Sequence, residues 1–173
     1  MSRLRRPFVY DRYFFVTVKL LPRRTILQDE DFRLLARSIA KMRRKHRFAL
    51  TAWVFLPDHW HAIIYPAHPL SISVVLKAVK VSSMISINVA RGTGGELWQG
   101  RFFDRALRTV KEYHEAVEYI HLNPVRRGLV RRAEEWEWSS VHEYGGRGAE
   151  EQERRCGLAI DRMRLPADES TAI

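Results

Sequence analysis

The sequence predicts an α+β chain built on a ferredoxin-like βαββαβ unit: one antiparallel sheet with two helices on one face, then an additional C-terminal helix. Two observations carry this expectation. Segments rich in β-branched and aromatic residues alternate with amphipathic segments in the order strand, helix, strand, strand, helix, strand. The two middle strands are separated only by Pro57-Asp58, a turn signal that makes them a hairpin.

The elements follow in order. Met1 to Tyr10 is a basic, irregular arm in which Arg5 and Arg6 could track a phosphate backbone. Tyr13 to Val18 is aromatic and β-branched and reads as the first strand, ended by Pro22-Arg23-Arg24. Asp29 or Asp31 can cap a helix to about His46, with Phe32, Leu35, Ile39 and Met42 as its buried stripe. That helix ends in Lys41, Arg43, Arg44, Lys45 and Arg47. Cations suit a helix C-terminus, but five exceed what capping needs.

Phe48 to Leu56 and His59 to Tyr65 form the hairpin. Leu70 to about Ala90 reads as the second helix, with Val74, Leu76, Val79, Ile85 and Val89 as its apolar residues. The Arg91-Gly92-Thr93-Gly94-Gly95 loop lacks the Lys-Ser/Thr of a phosphate-binding loop, so no nucleotide cofactor is expected. The fourth strand lies near Phe102 to Arg108, after Trp98 and Arg101. Lys111 to Asn123 is the additional helix, ended by Pro124 and followed by the turn residue Gly128. Trp136 to Tyr144 is an aromatic segment suited to packing on the core. The expected division is a domain over residues 1–144 and a charged, mobile tail over residues 145–173.

Composition narrows the partners. The chain has 173 residues and a net charge of +10. Residues 145–173 hold five arginines against six acids, which leaves about +11 on residues 1–144. A basic body of this kind points to nucleic acid or an anionic surface. The single cysteine, Cys156, rules out a disulfide framework and a cysteine-based zinc site. No apolar stretch reads as a signal peptide or a membrane span, so a cytoplasmic protein without a membrane partner is expected.

His59 and His61 carry the clearest chemistry. Side chains alternate along a strand, so the two imidazoles share a face, with Cα atoms roughly 6.5–7 Å apart, while Trp60, Ala62 and Ile64 face the other way. Two such imidazoles can hold one metal ion. They can also be half-buried residues with hydrogen-bonded ring nitrogens. About sixty residues on, Tyr119 and Asn123 lie one turn apart on the additional helix. Alone, these read more readily as a core aromatic and a helix cap before Pro124.

Together the segments Phe14-Phe15-Val16-Thr17-Val18, Leu56-Pro57-Asp58-His59-Trp60-His61, Trp98-Gln99-Gly100-Arg101-Phe102-Phe103-Asp104 and Tyr119-Ile120-His121-Leu122-Asn123-Pro124-Val125 resemble the single-tyrosine transposases with a His-hydrophobic-His motif, specifically the REP-associated tyrosine transposases. The resemblance covers roughly residues 5–144. Trp60 is bulky for the position between the histidines but hydrophobic, as the pattern asks. The resemblance implies an enzyme that cuts and rejoins single-stranded DNA at hairpin-forming repeats. It implies Tyr119 as nucleophile, with His59, His61 and Asn123 as ligands of a divalent metal ion, Mg²⁺ or Mn²⁺. Two imidazoles and an amide oxygen suit Mn²⁺ more readily than Mg²⁺. DNA contacts are expected from Arg5, Arg6, Arg43, Arg44, Lys45, Arg101, Arg105, Arg126 and Arg127. A monomer is expected, with a homodimer that exchanges the tyrosine helix as the alternative. Three other readings stay open: a replication-initiator-like nickase of the same metal-motif class, a metal-dependent phosphoester hydrolase using water, and a DNA-hairpin-binding protein without catalysis.

Overall fold

The structure is a computed structural model that describes residues 11–173; the basic arm with Arg5 and Arg6 lies outside the described residues. The elements are β1 (Phe14–Lys19), α1 (Asp29–Lys45), β2 (Phe48–Leu56), β3 (His59–Pro66), α2 (Ile72–Arg91), β4 (Phe103–Ala106) and α3 (Val110–Arg126). A 3₁₀ turn over Ala133–Glu135 and two short helices, α4 (Val141–Tyr144) and α5 (Ala149–Cys156), complete the chain. The sheet order is β2-β3-β1-β4, with every pairing antiparallel, so the expected ferredoxin-like unit is present.

The sheet is buried on both faces, which is why its strands read as almost continuous apolar runs. One face carries Phe14, Val16, Trp53, Phe55, Trp60, Ala62 and Ile64 under Phe32, Leu35, Ile39 of α1 and Val75, Leu76, Val79 of α2. The other carries Phe15, Val54, Leu56 and Ile63 under Tyr113, Ala116, Val117 and Ile120 of α3. The tyrosine helix therefore lies across the sheet from α1 and α2, on the face that His61 shares with Ile63.

Two local expectations are corrected, and the inward face of α2 is settled. The α1 N-cap is Gln28, not Asp29 or Asp31. Asp31 sits three residues in and accepts a hydrogen bond from the Gln28 backbone N–H at 2.8 Å, while its carboxylate also holds Arg91 of α2. On α2 the buried stripe is Ile72, Val75, Leu76, Val79 and Ile87, and Val74, Ile85 and Val89 face solvent. This helix is long and apolar enough to cross a membrane by composition, but its buried stripe packs on the sheet as that of a core helix does. A helix apolar on most of its circumference gives periodicity no means to choose the inward face. Finally, Pro124 does not end α3, which continues to Arg126. So near the C-terminus, a proline removes one hydrogen bond without stopping the last turn. Gly128 then adopts φ +68°, and the Leu129 N–H reaches the Pro124 carbonyl at 2.9 Å.

The C-terminal segment read as a mobile tail is instead packed against the body. Cys156 and Leu158 are buried in the core shared by α1 and the sheet, and Gln152 is fully buried. Residues 136–161 also cover the outer edge of β2. The Phe55 N–H donates to Trp138 O (3.0 Å), Ser140 N–H to Trp53 O (2.9 Å), Asp161 N–H to Leu50 O (2.7 Å) and the Tyr144 hydroxyl to Thr51 O (2.9 Å). An edge strand left open exposes a row of unpaired groups, and this segment satisfies them. Trp136 to Tyr144 packs as its aromatic content suggests, but beyond residue 145 the few apolar residues have no regular period, so the sequence pattern does not reveal that packing.

One buried acid in this segment gives a pH prediction. Both carboxylate oxygens of Glu143 accept from the Ile160 N–H, at 3.1 and 3.2 Å. Burial pushes its pKa up to about 7, against that hydrogen bond and the charges of Arg162 and Arg43, which act downward. The folded pKa lies above the unfolded one, so the native state keeps a proton that the unfolded chain releases. The contribution of this group is full below pH 4.5 and is lost as pH rises towards 7. Glu143→Gln should therefore gain on the wild type by about 2–3 kcal/mol between pH 4.5 and pH 8, read from urea unfolding at both.

Candidate active site

The hairpin fixes the first two groups. The register places His61 opposite Thr17 on one side and Val54 on the other, and His59 opposite Lys19 and Leu56. The His61 ring stacks on Phe15, with centroids 5.3 Å apart and planes 26° from parallel. Its Nδ1 lies 2.8 Å from Thr17 Oγ1. The Nδ1 of His59 lies 2.6 Å from Asp58 Oδ1, in the turn itself. Each ring is thus tied to an oxygen at Nδ1, and the two Nε2 atoms face each other at 3.1 Å. A carboxylate only accepts, so His59 donates its Nδ1–H to Asp58 and leaves Nε2 as a bare lone pair.

The electrostatics keep the pair neutral. Burial pushes His61 down to about 3, helped by the charge of His59. Burial also lowers His59, although the hydrogen bond and charge of Asp58 pull the other way. For Asp58, partial burial acts upward, but His59 and Arg127 outweigh it and hold the carboxyl below its ordinary value. Arg127 Nη2 donates to Asp58 Oδ2 at 2.8 Å.

The third group comes from α3. Thr109 caps this helix by accepting from the Glu112 N–H at 3.2 Å. Its apolar stripe docks on the sheet, and His121 Nε2 lies 2.9 Å from Ser140 Oγ in the segment that covers β2. Burial pushes His121 down to about 4, so it is neutral and structural. The neighbouring stripe carries Tyr119, Asn123 and Arg127 at four-residue spacing. Asn123 Nδ2 donates to His61 Nε2 at 3.2 Å. Tyr119 stands edge-on to His61 (5.4 Å between centroids) and to Phe15 (5.6 Å), with the Arg126 guanidinium 5.1 Å over its ring. His59, His61 and Asn123 are nearly enclosed, whereas Tyr119 is 40% exposed. The fold thus brings together all four residues singled out in the sequence, with the aromatic at the open side.

The residues fit a divalent cation. Two imidazole lone pairs face one gap, and Asn123 Oδ1 is buried with no hydrogen-bond partner. Rotating that amide by 180° fills the same volume and aims the oxygen at His61 Nε2. Among the described residues no group of three His, Cys, Asp or Glu side chains converges to hold a metal, so a cation at this gap would meet two imidazoles and an amide.

The nominated cations separate by sheet face. Arg126 and Arg127 lie at the end of α3 beside Tyr119 and Asp58. Arg105 pairs with Phe15 across β1 and β4 and shares its face, and Arg101 is exposed just before β4. Arg43, Arg44 and Lys45 belong to α1, in the layer on the opposite face of the sheet. Arg43 is engaged there by the Ala159 carbonyl (2.7 Å) and Asp161 (3.2 Å), so it fastens the C-terminal segment. Three residues on the site face were missed: Thr17, Asp58 and Phe103. Phe103 is 56% exposed on β4 and meets Phe15 edge-on, with ring centroids 6.2 Å apart. The period-2 alternation that puts Phe103 beside Arg105 was available in the sequence, as was the adjacency of Asp58 to His59.

Comparison with known proteins agrees with this geometry. A family described as "Transposase IS200 like" matches residues 9–123, the stretch from β1 to Asn123. A REP-associated tyrosine transposase of Escherichia coli (strain K12) is 32% identical over 149 residues, covering 86% of this chain and 87% of the relative. A solved structure of a REP-associated tyrosine transposase bound to a REP hairpin superposes with a TM-score of 0.74 at 34% identity, covering 86% of this chain and 87% of that one. The sheet, the hairpin with its two histidines and both Tyr119 and Asn123 thus fall within the matched stretch, and the chain belongs to the IS200-like transposase family.

Proposed function

We propose that this transposase cuts and rejoins single-stranded DNA at hairpin-forming repeats, with Tyr119 as the nucleophile. The observation that carries the reading is the position of Tyr119: the solvent-reaching member of an otherwise buried polar cluster, against His61 and beneath Arg126. The similarity to a transposase bound to a REP hairpin supports a folded single strand as the substrate.

In this reading Tyr119 Oη attacks the scissile phosphorus. The P–O3′ bond breaks, the tyrosine is esterified to the 5′ phosphate, and the proton the phenol gives up is matched by the one the leaving 3′ oxygen takes to become a hydroxyl. Attack by a 3′ hydroxyl on that ester reverses the exchange. One phosphoester replaces another at each step, so joining needs no ATP. His59 Nε2, His61 Nε2 and Asn123 Oδ1 would hold the divalent metal ion, Mg²⁺ or Mn²⁺. When bound, such an ion polarises a phosphoryl oxygen and offsets developing charge. Arg126 sits where its guanidinium can meet both the phosphate and the phenolate that forms as the tyrosine leaves again. In this reading the protein acts as a monomer, with Tyr119 serving the histidines of its own chain.

Phe103 and Arg105 extend the site along β4, where an unstacked base can lie on the exposed ring while its phosphate meets the guanidinium. Phe103→Ala should weaken single-stranded DNA binding by about 1–3 kcal/mol and leave duplex binding unchanged, measured by fluorescence anisotropy. Equal losses on both forms would remove the stacking role. The reading as a whole is tested by incubating the protein with a hairpin oligonucleotide and Mn²⁺. Covalent protein–DNA product that is lost in His59→Ala supports it, and cleavage without covalent product points to a hydrolase instead.

A further inference from the structure

Charge alone marks Arg127 as a DNA contact, yet one nitrogen of its guanidinium is already engaged. Nη2 donates to Asp58 Oδ2 at 2.8 Å, and the other oxygen of the same carboxylate takes His59 Nδ1 at 2.6 Å. Two distant parts of the chain meet here: the C-cap of α3 supplies Arg127, and the hairpin turn with the first residue of β3 supplies the neighbours Asp58 and His59. Arg127 lies two turns beyond Tyr119 and one beyond Asn123, on the same stripe.

We infer that Asp58 and Arg127 form a positioning relay that ties the seating of the tyrosine helix to the ligand state of His59. The inference rests on the metal reading given above. Asp58 is an obligate acceptor, so it fixes the His59 proton on Nδ1 and turns Nε2 towards His61. Arg127 in turn fixes the carboxylate, because a bidentate carboxylate shared between an imidazole and a guanidinium has little freedom to rotate. The same helix brings Asn123 to His61 at 3.2 Å. One stripe of α3 therefore touches both histidines, one directly through Asn123 and the other through Arg127 and Asp58. If the helix leaves, the third ligand and the brace of the first are lost together, so metal is held tightly only when Tyr119 is seated. Arg127 thus acts on the metal site without touching it.

The test is Mn²⁺ binding to the DNA-free protein, by titration calorimetry and by loss of the free-ion electron paramagnetic resonance signal. The wild type, His59→Ala, Asp58→Asn, Arg127→Ala and the Asp58→Asn/Arg127→Ala double variant are compared. Outer-shell partners of a ligating histidine change affinity by about 10–100-fold, so Asp58→Asn and Arg127→Ala should each weaken Mn²⁺ binding within that range. The double variant should be no weaker than Asp58→Asn, because Arg127 acts only through Asp58. Both side chains are about half exposed, so neither change disturbs the core; Arg127→Lys, which keeps a donor, should recover part of the affinity. Wild-type affinity in Arg127→Ala together with weakened DNA binding would overturn the relay and return Arg127 to the DNA surface. Additive losses in the double variant would also overturn it. Absence of Mn²⁺ binding by the wild type would overturn the metal reading and the relay with it, whereas wild-type binding abolished by His59→Ala and unaffected by the other changes would overturn the relay alone.

Discussion

Replacing Tyr119 by phenylalanine should lower strand cleavage by about 10⁴-fold while leaving affinity for the hairpin substrate within a factor of two or so. Removal of an essential nucleophile acts on this scale because no other group takes over the bond-forming step. The ring that meets His61 and Phe15 edge-on is retained, and only the hydroxyl is lost, so the packing of α3 is undisturbed. His121 is close in sequence but cannot substitute, since it is buried and bonded to Ser140 on another side of the helix. The measurement is single-turnover cleavage of a labelled hairpin oligonucleotide, with binding followed separately by anisotropy. Substantial cleavage by the phenylalanine variant would assign the attack to water and leave Tyr119 as an aromatic wall of the site.

Deleting residues 145–173 should prevent stable folding. Leu158 is fully buried, Cys156 is 1% exposed, and burial of one large apolar side chain alone stabilises by about 1.5–3 kcal/mol. The deletion also frees the β2 edge at Leu50 and removes the partners of Arg43 and Glu143. The combined loss is of the same order as the 5–15 kcal/mol that holds a typical domain together. Because α3 is fastened through His121 to the segment that this region braces, the site should be lost with the fold. A milder form is Leu158→Ala, expected to cost about 2–5 kcal/mol by chemical denaturation. A soluble truncated protein with wild-type unfolding behaviour would restore the picture of a mobile tail.

The two cases show what was legible in the chain and what was not. The element order and the shared face of His59 and His61 are legible because periodicity, turn signals and strand alternation are local rules. Tyr119 and Asn123 were readable as a pair because helical spacing is equally local. The inward face of α2 was not, since Val74, Ile85 and Val89 are as apolar as the residues that turned inward. The packing of the C-terminal segment is not legible, because it is made by irregular loops and one short helix, for which polar composition is a poor guide. Arg43 and Arg127 were both grouped with DNA contacts on charge alone. Charge says nothing about whether a carboxylate from a distant segment has already claimed the side chain, and Asp161 and Asp58 have done so. The role of Asp58 needed the hairpin in three dimensions, because its position in a turn signal fully explained its presence in the sequence.

The central claim is covalent chemistry at Tyr119, and mass spectrometry of the trapped complex tests it most directly. The protein is incubated with Mn²⁺ and a hairpin oligonucleotide taken from repeats near its gene, denatured, digested with protease and nuclease, and the modified peptide sequenced. The account predicts one nucleotide-bearing peptide, with a 5′-phosphotyrosyl bond at Tyr119, and a released strand ending in a free 3′ hydroxyl. A nucleotide carried by any other residue, or strands cut to free 5′ phosphates with no modified peptide, would contradict it.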